Sequence, residues 1–479
     1  MSADSPPVSA PRWARAADLL FLFLLLLAVV VAAFGGFRMR VGDIRVSLTT
    51  PERIVLWAIA VAVLRHVFER RAPIYKDLPA RLRSTWRLRE VRAALVTLIS
   101  TRVAVLFVGY MAVFMFGYFN NRPPFRVDEN EVLNLQARWD TGWYLGIAVN
   151  EYSYEPELAQ EQQNIVFFPA LPVAMRIVGR LLGGSTPAFL LGGTLIVLLA
   201  FLWALVYLYR FARDVLGDDD RAQYALWLLA AYPFAVFYSS VYTESLFLLG
   251  AIGAFYHFRR GELLRAGLFG LLVGLTRPNG CFLSIPLGLL AIAPWLPPWL
   301  TGGPEGNRPR DPLRLVKDLA AAAMPGVGVL MYSAFIWRLT GDPLAWAAGH
   351  IAWGRSYQGL SVLVVERFDY ISQMGFYRYT SDLSADLLHA SGVIFVLAAV
   401  WGVYRRLGLA YVVFILINIL PPLAAGGLLS AGRFTSVLFP AFVFFASVVP
   451  VRHRTAWVAG FMAIQAMNAA LFYTWRGMY

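Results

Sequence analysis

Long apolar runs alternate with short polar connectors from one end of this 479-residue chain to the other. The runs are roughly 15 to 26 residues long, close to the ~20 that carry a helix across a bilayer. They predict spanning helices near 18–36, 52–68, 95–119, 188–209, 221–239, 243–258, 263–276, 279–297, 318–337, 384–404, 408–426, 433–450 and 456–474. Another run, IVFFPALPVAMRIVGRLL (165–182), has the length of a span, but counting it would reverse the side of every later loop. Pro169 and Pro172 interrupt its start, and it reads as a re-entrant or interfacial helix.

Composition turns this pattern into a class. With 59% hydrophobic and 15% charged residues, the chain is far greasier than a soluble domain. It reads as an all-α polytopic integral membrane protein of about 13 transmembrane helices, a single membrane domain over 1–479. Loop charge sets the orientation. The stretch 69–92 has eight basic and three acidic residues, so it is expected in the cytoplasm. Alternation puts RRGELLR (259–265), NRPRDPLRLVK (307–317), YRR (404–406) and VRHR (451–454) on the same side. The first large loop, 120–165, has eight acidic and three basic residues and falls outside, as does the second, 338–383. Four arginines between 38 and 53 fit the outer side poorly.

A net charge of +13 therefore reflects loop arginines, and nucleic acid is not an expected partner. Cys281 is the only cysteine, which excludes an internal disulfide. His66, His257, His350, His389 and His453 are too scattered for a recognised metal spacing. No metal ligand set is predicted. Residues 19–36 follow Arg12 and Arg15 and read as a retained first helix rather than a signal peptide. Gly302 to Pro312 is a polar connector.

The polar chemistry gathers on the outer side. The stretch NLQARWDTGWYLGIAVNEY (134–152) predicts a short helix over 133–149, lying along the outer membrane surface. There Trp139 pairs with Trp143, and Asp140 with Tyr144, on shared faces. The plainer alternative is an aromatic anchor with an incidental acid. Arg138, Asn164, Glu244, Arg277, Asn279, His350, Arg355, Tyr357 and Arg433 all fall outside on the same reading, several of them at helix ends. Cations near membrane depth face a cavity or a partner, so the group predicts a polar site. Asp218, Asp219 and Asp220 precede a helix on the cytoplasmic side and read as its N-terminal cap.

RWDTGWYLGIA (138–148) and NIVFFPALP (164–172) resemble the mannosyltransferase family that contains the PIG-V enzyme of GPI-anchor assembly. YPFAVFYSSVYTESLF (232–247), GLTRPNG (274–280) and GRFTSVLFP (432–440) are similar to it in content and order. Residues 1–92 fit least well. The resemblance implies a GT-C glycosyltransferase fold, a polyprenyl-phosphate sugar donor, mannose as the sugar and a site on the non-cytoplasmic side. Asp140 matches the family's catalytic Asp in the first outer loop, and Arg138, Trp139, Tyr144, Asn164, Glu244, Arg277, Asn279, His350, Arg355 and Arg433 are the candidate substrate-binding residues. No cofactor is implied with certainty, and a divalent cation stays open. The expected partners are the donor, a glycolipid or glycan acceptor and membrane lipids. The expected location is a bacterial plasma membrane with the site facing outward, or the ER lumen in a eukaryote.

Elementary chemistry leads to a similar list. A lipid-linked sugar phosphate leaves without help from an acid, so transfer needs one base and cations for the growing phosphate charge. Asp140 is the expected base, with inversion at the sugar, and Arg277 with Arg433 are assigned to the phosphate. Glycosidase chemistry would require two flanking carboxylates, and Glu244 leaves that option open. The competing class is a transporter or flippase of a lipid-linked saccharide, which predicts two matching halves with broken helices. No such halves are visible.

Overall fold

The computed structural model describes residues 11–34, 37–41, 44–48, 50–69, 73, 84–121, 123–302 and 310–477. Much of the basic loop 69–92 and of the connector 302–312 lies outside them. Helices α1 (Arg12–Phe34) and α2 (Pro51–Phe68) flank a two-stranded antiparallel hairpin, β1 (Phe37–Val41) and β2 (Ile44–Leu48). The hairpin is a local exception in an otherwise helical chain, as expected, and it carries Arg38, Arg40 and Arg45, three of the four arginines that fit the outer side poorly. A buried ion pair at 2.8 Å, Arg65 to Asp18, ties the two helices together.

The body begins with α3 (Arg89–Phe116), followed by the short α4 (Glu131–Asn134), α5 (Thr141–Asn150) and α6 (Ala170–Leu181). Next come α7 (Thr186–Leu216), α8 (Asp219–Ala231), α9 (Glu244–Arg259), α10 (Leu263–Gly274), α11 (Ser284–Ile292) and α12 (Pro312–Thr340). The C-terminal part holds α13 (Leu360–Met374), α14 (Phe376–Asp382), α15 (Ser384–Arg406), α16 (Leu409–Gly426), α17 (Ala431–Ser436), α18 (Phe439–Val448) and α19 (Val451–Tyr473). Among the described residues, eight helices are long and apolar enough to cross a membrane, or nine if one bent pair counts as a span. The expected spans at 52–68, 221–239, 263–276 and 433–450 also form helices, but these are too short or too charged to qualify alone. The run 165–182 does not form one long span either. A 3-10 turn at Asn164–Val166 gives way at Pro169 to α6, 12 residues long, which buries Leu171, Met175, Arg176 and Gly179.

The bent pair positions the site. Between α8 and α9 the chain forms a 3-10 segment, Pro233–Ser239, and meets α9 at 102°. A broken helix in an apolar core leaves carbonyls to be satisfied by other groups. Here buried polar side chains from distant helices supply the donors. Arg102 of α3 donates to the carbonyls of Ala230 and Ala235, Gln465 of α19 to Ala230 and Tyr232, and Asn468 to Pro233. The Tyr238 hydroxyl donates to Ser436 O at 2.8 Å. Tyr242, Thr243 and Glu244 are thereby held at the end of a rigid turn. On the other flank, α10 and α12 meet backbone to backbone, since a Cβ on Gly274 would lie 2.0 Å from Pro325 O. That approach fixes the start of the TRPNG turn.

Asp218, Asp219 and Asp220 behave as a helix start. The Asp218 carboxylate accepts from the N–H groups of Asp220 and Arg221, and Asp219 pairs with Arg89 at 2.6 Å.

Candidate active site

The expected helix over 133–149 is broken. It ends at Asn134 and resumes at Thr141, because Arg138 turns inward and Trp139 takes a left-handed backbone with φ of 49°. Such a conformation costs a bulky L-residue about 1–3 kcal/mol, and long-range contacts offset it. Arg138 donates to the carbonyls of Tyr473 (2.8 Å) and Asn134 (2.7 Å) and pairs with Glu131 at 3.0 Å. The Trp139 indole N–H donates to Phe472 O at 3.1 Å, and its ring packs 4.7 Å from that of Trp475. Trp143 instead stacks on Phe167 and meets Trp353 edge-on. The two tryptophans therefore do not share one helix face. Nor is α5 a surface anchor, since Thr141, Tyr144, Leu145, Ile147 and Ala148 are buried within the protein.

The break has one chemical result. Asp140 stands at the N-terminus of α5, yet its carboxylate makes no capping hydrogen bond. Its Oδ2 accepts from Arg433 Nη1 at 2.8 Å, and no described residue bonds Oδ1. The Asp140 backbone N–H donates to the Tyr242 hydroxyl at 3.1 Å, which ties the first large loop to the bent pair. Arg433 Nε then lies 3.1 Å from Glu244 Oε1, and Arg277 Nη2 lies 3.1 Å from the same oxygen. Arg277 also donates to Thr243 Oγ1 at 2.8 Å. Side-chain exposure rises along this chain of charges, from 1% at Glu244 through 9% at Arg277 and 19% at Arg433 to 29% at Asp140. Glu244 is a buried counter-ion behind two guanidiniums, and Asp140 is the carboxylate that meets the open space.

That space is a cavity of about 1430 Å³. Asp140 and Tyr144 of the first loop share its lining with Arg277, Asn279, His350, Arg355 and Arg433. Phe167, Trp346, Trp353, Pro421 and Phe434 add apolar wall. Burial, then the charges of Asp140 and Glu244, push the Tyr144 hydroxyl well above its usual range, so it stays protonated. Burial, with Arg355 beside it, lowers His350 to about 4 and keeps its ring neutral near pH 7. Among the described residues, no three His, Cys, Asp or Glu side chains gather to hold a metal ion.

Residues 88–285 match the family described as Mannosyltransferase (PIG-V). The fruit fly Drosophila pseudoobscura pseudoobscura has a GPI mannosyltransferase 2 that is 28% identical over 160 residues. That is 32% of this chain, and the chain spans about a third (33%) of the relative's length. No solved structure matches. Over residues 88–285 the chain is similar to the PIG-V family.

The PIG-V-like segment contains Asp140, Tyr144, Arg277 and Asn279 of the lining and the buried Glu244 behind it, while His350, Arg355 and Arg433 reach the cavity from beyond that segment. Trp139 lines the cavity too. Arg138, Asn164 and Tyr357 of the expected group do not line the cavity. Arg138 is fully buried and serves backbone carbonyls. Asn164 accepts from Ser153 N–H and donates to Glu151 O, which pins the loop ahead of α6. Tyr357 is exposed and does not line the cavity. Sequence reasoning missed Asn418, whose Oδ1 accepts from Asn279 Nδ2 at 2.9 Å and orients that amide at the cavity wall. It also missed Arg102. A lone amide or guanidinium inside an apolar run was the available signal for both.

Proposed function

We propose that this chain moves a mannosyl group from a polyprenyl-phosphate donor to the hydroxyl of a membrane-proximal acceptor, on a GT-C-type scaffold and on the non-cytoplasmic side. The observation that carries this reading is the single carboxylate at the cavity wall, Asp140, with one oxygen fixed by Arg433 and the other free.

In this reading the acceptor oxygen attacks the anomeric carbon while its proton passes to Asp140 Oδ1. The bond from that carbon to the phosphate oxygen breaks, and the electron pair leaves with the polyprenyl phosphate, which gains one negative charge. Asp140 loses its charge in the same step. Arg433, tied to Asp140 in the resting state, is then released to balance the charge gained by the phosphate. Glu244 holds Arg433 and Arg277 in place throughout. Its burial behind both guanidiniums keeps it from the substrate, so the paired-carboxylate geometry of hydrolysis has no second member here.

The test is transfer by purified protein in proteoliposomes supplied with radiolabelled polyprenyl-phosphate mannose and a panel of glycolipid acceptors. Label moving to an acceptor is the expected result. A chain that moves intact donor across the bilayer without cleaving it is a flippase, and the reading fails.

A further inference from the structure

Four guanidiniums line the cavity, and three of them have counter-ions. Arg126 pairs with Glu131 at 2.8 Å, Arg277 with Glu244, and Arg433 with both Asp140 and Glu244. Arg355 makes no ion pair with any described residue. Its Nη2 donates to Leu429 O at 2.9 Å, its head lies 5.6 Å from the Phe434 ring centre, and its Nη1 is buried without a hydrogen-bond partner. A Cβ at Gly426 would fall 2.1 Å from Nη1, so the glycine lets the arginine head lie against that wall.

A second unpartnered group stands beside it. Arg355 N–H donates to His350 O at 3.2 Å, and His350 Nε2 is also buried without a partner. The neutral ring can donate from Nε2 in one of its two tautomers. Burial, and next the charge of Arg433, lower Arg355 to about 10 against a smaller opposing effect of Asp140. A desolvated cation with an open donor is the arrangement an anionic ligand completes.

We infer that Arg355, with His350 beside it, seats the resting phosphate of an isoprenoid lipid. The inference rests on the donor class proposed above, and it divides the work among the arginines. Arg277 and Arg433 are neutralised at rest and act as charge moves, whereas Arg355 holds the single charge of the phosphodiester before reaction. The surroundings favour a lipid over free phosphate. Pro421, Pro422 and Ala425 of α16 line the same cavity. Just past Arg355, α13 buries none of its residues and exposes Val364 and Phe368, an apolar surface suited to a hydrocarbon tail.

The test measures binding, separately from transfer, with purified protein in neutral-lipid nanodiscs. The probes are polyprenyl monophosphate, neutral polyprenol, phosphatidic acid and inorganic phosphate. Wild type is expected to hold polyprenyl monophosphate most tightly. Arg355→Ala should weaken that binding by about 10- to 100-fold, the loss typical of a charged hydrogen bond, and leave polyprenol unchanged. Arg355→Lys, which keeps the charge without the planar fork, should fall between the two and covers the case in which the alanine variant does not fold. Unchanged phosphate binding in both variants overturns the inference while the transfer reading stands. Equal binding of phosphatidic acid or inorganic phosphate overturns the isoprenoid assignment. A wild type that does not distinguish polyprenyl phosphate from polyprenol overturns both.

Discussion

The loops 120–165 and 338–383 meet at one cavity but are built differently. In the first, α5 is half buried, and Arg126 and Arg138 both pair with Glu131. Its Trp139 is held in a strained conformation by carbonyls and rings from the end of α19. In the second, α13 has no buried residue, and Arg355 reaches the cavity without a counter-ion among the described residues. Packing of the first kind fixes a side chain to the tolerance that chemistry requires. Sparse packing of the second kind lets a segment open locally at low free energy, as ligand-binding loops commonly do. In the proposed mechanism the first loop reacts and the second captures.

Removing the base gives the largest expected effect. Asp140→Asn keeps shape but cannot accept a proton, and turnover should fall by about 10²–10⁴-fold, the usual contribution of general-base catalysis. Donor binding should survive, and a rate assay paired with donor titration checks both. Near-normal turnover would reduce the first loop to an anchor. Next comes the buried counter-ion below both loops. Glu244→Gln leaves two guanidiniums without their shared partner, and breaking a buried pair in this way costs about 3–5 kcal/mol. Detergent-titrated unfolding should show that loss, with the conservative Glu244→Asp in between.

How much of this was legible in the sequence depends on distance along the chain. Leu409–Gly426 and Thr186–Leu216 were readable because an apolar run carries its own instruction. The turn at Pro233–Ser239 was not, because its carbonyl partners Arg102, Gln465 and Asn468 lie more than a hundred residues away. Arg138 and Asp140 show the same limit at close range. They are two positions apart in one motif, yet one is sunk among backbone carbonyls and the other meets the cavity. Residue type grouped Asp140, Arg277, His350, Arg355 and Arg433, and these five line one cavity. Which of the charges neutralise one another depended on the three-dimensional arrangement.

A smaller effect should distinguish the loops by acid. The His350 ring falls from its usual 6.5 to about 4 on burial. The unfolded or opened loop therefore binds a proton at a higher pH than the closed one. Stability from this group is full above about 6.5, falls as pH drops through that value, and stops changing below about 4. Amide exchange around residues 345–355 should quicken across that window in wild type and less in His350→Gln. Exchange in α5 should not follow it. The smallest effect belongs to the far end of the molecule. Asp219 serves Arg89 and the Tyr209 hydroxyl at the start of α8, and Asp219→Asn should leave turnover within about twofold, as substitutions outside a site's own contacts usually do. A large loss there would move the chemistry away from the two large loops.

The central claim is that one carboxylate, Asp140, drives a single displacement at the sugar carbon. The anomeric configuration of the product, read by NMR against that of the supplied polyprenyl-phosphate mannose, tests it most directly. Inversion is the predicted result. Retention would require a covalent sugar–enzyme intermediate and a second displacement, and it would contradict the account.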